Sequence, residues 1–122
     1  MDDFTHEDLS IRRADAAEPQ CARYVWHGRS NARNPSQVLQ PFFASILAQA
    51  SASGQRVEMD FTTLEHFNSS TITALIQLIQ DCRSKGLRLR LRYDDKVKWQ
   101  KLSFGALRVF VKPAGLLELL TS

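Results

Sequence analysis

Val57-Glu-Met-Asp-Phe-Thr-Thr-Leu-Glu-His-Phe-Asn-Ser-Ser-Thr-Ile-Thr-Ala-Leu-Ile-Gln-Leu-Ile-Gln-Asp-Cys82 is the stretch on which the fold turns. It opens as a strand, with Val57, Met59 and Phe61 on one side and Glu58 and Asp60 on the other. It closes as an amphipathic helix: Ile72, Leu75, Ile76, Ile79 and Cys82 fall on one face, and Thr73, Gln77, Gln80, Asp81 and Ser84 on the other. Thr62–Phe67 reads as a loop between them, pinned to the core by Leu64 and Phe67. Asn68, Ser69, Ser70 and Thr71 then suit an N-cap and first turn, where backbone N–H groups lack intrahelical partners. Three adjacent hydroxyls at a helix N-terminus make this joint the place to look for function.

Downstream, Ser84-Lys-Gly86 stops the helix and Leu87-Arg-Leu-Arg-Leu-Arg-Tyr-Asp94 alternates as a strand. Leu87, Leu89 and Leu91 would pack inward, and Arg88, Arg90 and Arg92 would project together from the opposite face. Such a row can grip phosphates or an acidic partner. The aromatics that stack single-stranded nucleic acid are missing from it, so a half-exposed antiparallel or edge strand guarded by its charges is the preferred reading. Asp94-Asp95 would cap a helix through Val111, with Val97, Trp99, Leu102, Ala106 and Phe110 inward and Gly105 as its weak point. Lys112-Pro-Ala-Gly115 is a turn, and Leu116–Leu120 is a last strand or a short helix, with strand preferred.

Upstream, residues 1–8 read as a loose N-terminal arm, and Leu9–Ala14 as a first strand. Ala16–Gln20 is a turn, and Cys21–Gly28 a second strand forming a hairpin with the first. His27 near the strand end reads as a surface or packing residue. Asn34 followed by Pro35 has the form of an N-cap with proline at the first helical position. The apolar face of Val38, Leu39, Phe42, Phe43, Ile46 and Leu47 continues to about Ala50, and Gly54 ends the helix. Pro41 would bend this helix or delay its start.

The 122 residues, 43% hydrophobic and 24% charged, suit one globular domain. No apolar run is long enough to span a bilayer, and the acidic start is no signal peptide, so a cytoplasmic protein without membrane contact is expected. Cys21 and Cys82 read as buried thiols, not as a disulfide framework. No Gly-rich phosphate loop, zinc-type spacing or nucleophile elbow is present, and no metal or cofactor is expected. His66 stands close to Ser69 and Ser70 in sequence, but a nucleophilic serine needs a base in reach and an orienting group behind it. A non-catalytic protein is therefore the expectation.

The strand, the Phe67-Asn-Ser-Ser-Thr-Ile72 turn, the helix to Gly86 and the strand Leu87–Tyr93 resemble a STAS domain of the bacterial anti-sigma factor antagonist type. In those proteins an anti-sigma kinase phosphorylates the first hydroxyl of an apolar-Asp-Ser-Ser/Thr-Gly-Leu motif, which corresponds to Ser69. Asn68 stands where they carry aspartate, and Thr71 where they carry glycine. The stretch is closer to SiaC-like regulatory phosphoproteins of biofilm control, whose turn reads Leu-Asn-Thr-Ser-Ser-Ile. Their next strand ends in a Leu-Arg-x-x-Tyr-Asp pattern matched by Leu89-Arg90 and Tyr93-Asp94. The likeness covers residues 57 to 94.

The resemblance implies a single STAS-like α/β domain over residues 1–122, with a mixed β-sheet of four to five strands packed by about three helices. It implies phosphorylation at Ser69, with Ser70 and Thr71 as second choices, and partner binding through Asn68, Ser69, Ser70, Thr71, Thr73 and Gln77. The implied partners are an anti-sigma-type serine kinase and an opposing phosphatase, with a diguanylate cyclase as a candidate output. Two rivals stand beside this reading. One is a nucleic-acid-binding module using Arg88, Arg90 and Arg92 with Lys96, Lys98 and Lys101; the other is a constitutive protein-binding scaffold.

Overall fold

In a computed structural model that describes residues 3–15, 19–112 and 115–121, the sequence patterns resolve into seven strands and three α-helices. In chain order these are β1 (Phe4–His6), β2 (Leu9–Ala14), β3 (Cys21–Ser30), α1 (Pro35–Ser53), β4 (Arg56–Asp60) and β5 (Leu64–Phe67). Then follow α2 (Ser69–Lys85), β6 (Leu89–Tyr93), α3 (Lys98–Ala106), a 3-10 turn (Leu107–Phe110) and β7 (Leu117–Thr121). The strands form one mixed sheet in the order β1-β2-β3-β4-β6-β7, with β5 paired to the far end of β3.

The expected hairpin is present: β2 and β3 run antiparallel from Leu9 opposite Gly28 to Ala14 opposite Arg23. From β3 onward the sheet is parallel, with α1, α2 and α3 carrying the chain between β3 and β4, β4 and β6, and β6 and β7. The two strands beyond the expected count are β1 and β5. The arm expected through Asp8 is ordered from Phe4 as β1, too short for alternation to reveal it. The expected loop before α2 ends in β5, whose Leu64 and Phe67 are buried while Glu65 and His66 are exposed. That spacing is not a strand period; pairing with Gly28–Ser30 defines the element instead. The expected turn at 16–20 falls partly outside the described residues, at 16–18, as does that at 112–115, at 113–114.

One core unites the inward residues of the sheet with all three helices. Phe61 stands at its centre, with Trp26 4.8 Å and Phe104 4.9 Å away between ring centroids, and Tyr93 stacks on Phe104 at 5.0 Å. Glu58, Asp60, Arg90 and Arg92 lie on the opposite sheet face. The expected edge strand Leu87–Asp94 is thus an interior parallel strand, flanked by β4 and β7.

Helix faces differ from expectation in instructive ways. On α2 the buried positions are Thr71, Ala74, Leu75, Leu78, Ile79 and Cys82, so the face is rotated and Ile72 and Ile76 lie at its margin. α1 starts at Pro35 and passes through the exposed Pro41 without interruption. α3 begins at Lys98, not at the two aspartates, and buries Gln100 and Phe104 while Leu102 is 66% exposed. The polar Gln100 takes an inward position because its amide donates to the carbonyls of Phe61 (2.8 Å) and Leu64 (3.2 Å) and accepts from Asp94 N–H (2.8 Å).

Candidate functional site

The joint between β5 and α2 is built on Asn68. Its backbone is extended (φ −86°, ψ 170°), and its Oδ1 accepts from Thr71 N–H at 2.9 Å, the N-cap geometry the sequence predicts. The same oxygen accepts from Thr71 Oγ1 at 2.8 Å, while Nδ2 donates to the Ala32 carbonyl at 3.0 Å. The Asn68 N–H donates to the Ser30 carbonyl at 3.0 Å. One side chain thus ties the end of β3, the loop after it and the start of α2.

Thr71 faces inward. It is fully buried, and its hydroxyl lies 2.8 Å from Ser30 Oγ as well as bonding Asn68. This corrects its expected roles as a modification site and partner contact: a kinase or partner has no access to it in the folded domain. Helical rotation is the reason, since a residue two positions into α2 turns toward the sheet while Ser69 and Ser70 turn away. Ser69, Ser70, Thr73 and Gln77 are exposed and Asn68 is half-buried, so the rest of the expected surface is brought together. Ser70 and Thr73 also border an open cleft of about 260 Å³ whose other wall is the start of α1, with Arg33 and Ser36.

His66 does not join this group. Its ring lies against Trp99, 6.1 Å between centroids, and among the described residues no hydrogen bond links it to Ser69 or Ser70. Likewise, no cluster of three His, Cys, Asp or Glu side chains placed to hold a metal ion occurs among the described residues.

The arginine row belongs to an ionic network on the open sheet face. Glu58, 4% exposed, pairs with Arg23 (3.0 Å), Arg90 (3.3 Å) and Arg92 (3.4 Å). Arg90 also pairs with Glu118 at 3.0 Å. Asp60, 2% exposed, binds Arg23 and accepts from Thr62 N–H (2.9 Å) and Thr62 Oγ1 (2.6 Å). Burial alone would raise the Asp60 carboxyl, but the Thr62 and Arg23 hydrogen bonds outweigh it and hold it below its ordinary value. Arg23 is depressed by burial and raised by Asp60 and Glu58, with a net upward result. Two of the three arginines expected to offer a phosphate grip are therefore engaged internally. Sequence reading missed Glu58, Asp60 and Gln100 as buried polar groups; for the two acids the signal available was the matching alternation of acids in β4 and bases in β6, and for Gln100 there was none.

No helix among the described residues is long and apolar enough to cross a membrane. Cys21 and Cys82 are free and buried, as expected. Burial, with Asp81 adding to it, pushes the Cys82 thiol up to about 12.

Compared with solved structures, the chain is similar to an uncharacterised protein of the DUF3478 family from Shewanella loihica PV-4, described as having a SpoIIAA-like fold. The match has a TM-score of 0.54 at 13% identity and covers 91% of this chain and 84% of that one. No protein-family model matches the chain. No curated protein matches it either. The domain is thus an α/β domain of SpoIIAA-like, STAS-like fold.

Proposed function

We propose that the protein is a non-catalytic regulatory module of a bacterial partner-switching pathway, binding its partner through the exposed start of α2 and controlled by phosphorylation at Ser69. The observation that carries this reading is the asymmetry of the joint. Asn68 and Thr71 hold the helix start rigidly from the inside, while Ser69 and Ser70 present their hydroxyls to solvent. A kinase can reach Ser69 without unfolding the cap.

A phosphoryl group at Ser69 adds a charge on the order of −1.5 to −2 at the positive end of the 17-residue α2, where the fold tolerates it. A partner packed on Ser69, Ser70, Thr73 and Gln77 would instead face new charge and its hydration. Binding is lost while the domain stays intact. An anti-sigma-type serine kinase and an opposing phosphatase are the proposed enzymes, and a diguanylate cyclase is the proposed output of the closer resemblance. The SpoIIAA-like fold supports the STAS-type reading at the level of architecture.

The test is mass mapping of the protein from its native cells, with partner recovery compared between the parent, Ser69→Ala and Ser69→Glu. Phosphate on Ser69, with partners kept by Ser69→Ala and lost by Ser69→Glu, is the expected result. An unmodified Ser69 under all growth conditions, with equal partner recovery by both variants, leaves the constitutive scaffold.

A further inference from the structure

Leu102 (66% exposed), Val109 (74%) and Val111 (39%) are the large apolar side chains left in solvent among the described residues, and all three belong to α3, the 3-10 turn that follows it and the cap of that turn. The other apolar groups of this segment turn inward: Phe104 and Leu107 are buried, and Trp99 and Phe110 pack against the core. Leu102 and Val109 are seven residues apart, two helical turns, with Gly105 and Ala106 exposed between them. They form a short apolar stripe with a low saddle at its middle.

Gly105 makes that saddle, and nothing inside the domain requires a glycine there. Its φ is not positive, and a Cβ added to it would meet nothing within 4 Å beyond its own stretch of helix. Glycine inside a helix nevertheless costs about 1 kcal/mol relative to alanine. Close approach of a backbone from outside the chain is the use of glycine that this geometry leaves.

The stripe is framed by one sign of charge. Between Asp95 and Glu118 the sequence holds Lys96, Lys98, Lys101, Arg108 and Lys112 and no acid. All five are exposed, and the four lysines enter no ion pair among the described residues. Arg108 donates to the Tyr93 hydroxyl at 3.0 Å, a neutral partner that leaves its charge uncompensated. Arg83 of α2 donates to the Phe110 carbonyl at 3.2 Å and brings a further cation to the end of the stripe. An apolar centre with a cationic rim is complementary to a chain that carries aliphatic side chains among acids. A phosphate backbone would find no donor at Leu102 and Val109. The aromatic rings that would anchor a helix in a lipid surface, Trp99 and Phe110, are packed on the core instead.

We propose that the outer face of α3 and the 3-10 turn is a docking surface for an acidic, apolar segment of another protein. The segment's backbone crosses at Gly105, with its aliphatic side chains on Leu102 and Val109 and its carboxylates toward Lys98, Lys101 and Arg108. The surface does not include Ser69, so it stands or falls separately from the α2 joint.

The experiment pans short random peptides displayed on phage against the full-length chain, then titrates the most enriched peptide into the ¹⁵N-labelled chain. Enriched sequences with Asp or Glu beside aliphatic residues, and saturable amide shifts on residues 98–112, are expected. Leu102→Ser weakens binding on the order of tenfold and Lys101→Gln on the order of threefold, while Arg12→Gln on β2 leaves it unchanged. Gly105→Ala raises the urea midpoint yet weakens binding, a pairing that a merely structural glycine would not produce. Enrichment of no common sequence overturns the proposal. So do peptides that the Leu102→Ser variant binds equally well while its spectrum stays that of the folded parent. Sedimentation with phosphatidylserine vesicles, or a mobility shift of a random-sequence DNA duplex, with no peptide enriched, also overturns it and assigns the surface to lipid or to nucleic acid.

Discussion

Asp60 illustrates how a single carboxylate can set the acid limit of the fold. Its folded-state acidity is stronger than that of an ordinary aspartate, so its contribution is complete above the ordinary range near pH ~4. As pH falls through that value toward the lower folded one, the contribution is lost. Urea unfolding of Asp60→Asn is therefore expected to show reduced stability at pH 7 and a flatter loss of stability below pH ~4 than the parent. An unchanged acid limb would remove Asp60 from this role. Thr71 makes a parallel case without charge. Replacing it by valine keeps the shape but strands Ser30 Oγ and half of the Asn68 cap, at a cost of about 1–3 kcal/mol in chemical denaturation. Phosphorylation of Ser69, if it occurs in the parent, is expected to survive that change. Neither role was legible beforehand: alternation set the face of Asp60 but not the Arg23 and Thr62 that bury it, and the first turn of α2 gave no sign that Thr71 alone among its hydroxyls turns inward.

At the scale of elements, the joint depends on β5, and β5 depends on Gly28. Gly28 has φ +85°, and a Cβ there would lie 1.9 Å from the Asp8 carbonyl oxygen, in the turn between β1 and β2. The register of β3 shifts between Gly28 and Arg29, allowing its first half to pair with β4 and its end with β5. Gly28→Ala is expected to destabilise the protein by about 1–3 kcal/mol, with hydrogen exchange accelerated first in β1 and β5. Asn68→Ala is expected to cost about 1 kcal/mol or more, because a tie to Ala32 is lost together with the cap. The hairpin, α1, β4, α2 and β6 were readable from alternation, helical spacing and glycine stops. β1 and β5 were not, since three- and four-residue strands are defined by their partners and have too few positions to show a period. α3 was misplaced because Gln100 reads as polar surface until its three hydrogen-bond partners are known.

Across the whole molecule, Glu58 joins residues from three neighbouring strands, and Arg90 extends the chain to a fourth. Glu58→Gln leaves three arginines without their shared counter-charge and is expected to cost about 3–5 kcal/mol, measured by urea unfolding at pH 7. Added salt is expected to reproduce little of that loss, because the carboxylate is buried. The mixed sheet packed by three helices was legible in outline through the resemblance to a STAS domain, with fewer strands than the sheet has. The charge order on its other side was not, because alternation tells which residues share a face but not which strand lies next to which.

That charge order has a bearing on how the protein behaves in concentrated solution. A β-sheet with helices on only one side offers a broad platform on which another molecule could settle. Here, however, the row from Arg23 through Glu58 and Arg90 to Glu118 reads plus, minus, plus, minus across four strands. A second copy sliding onto that platform finds charges already matched and would have to strip finished pairs of their partners to make new ones. The open side of the domain is in this sense a closed circuit, which discourages stacking.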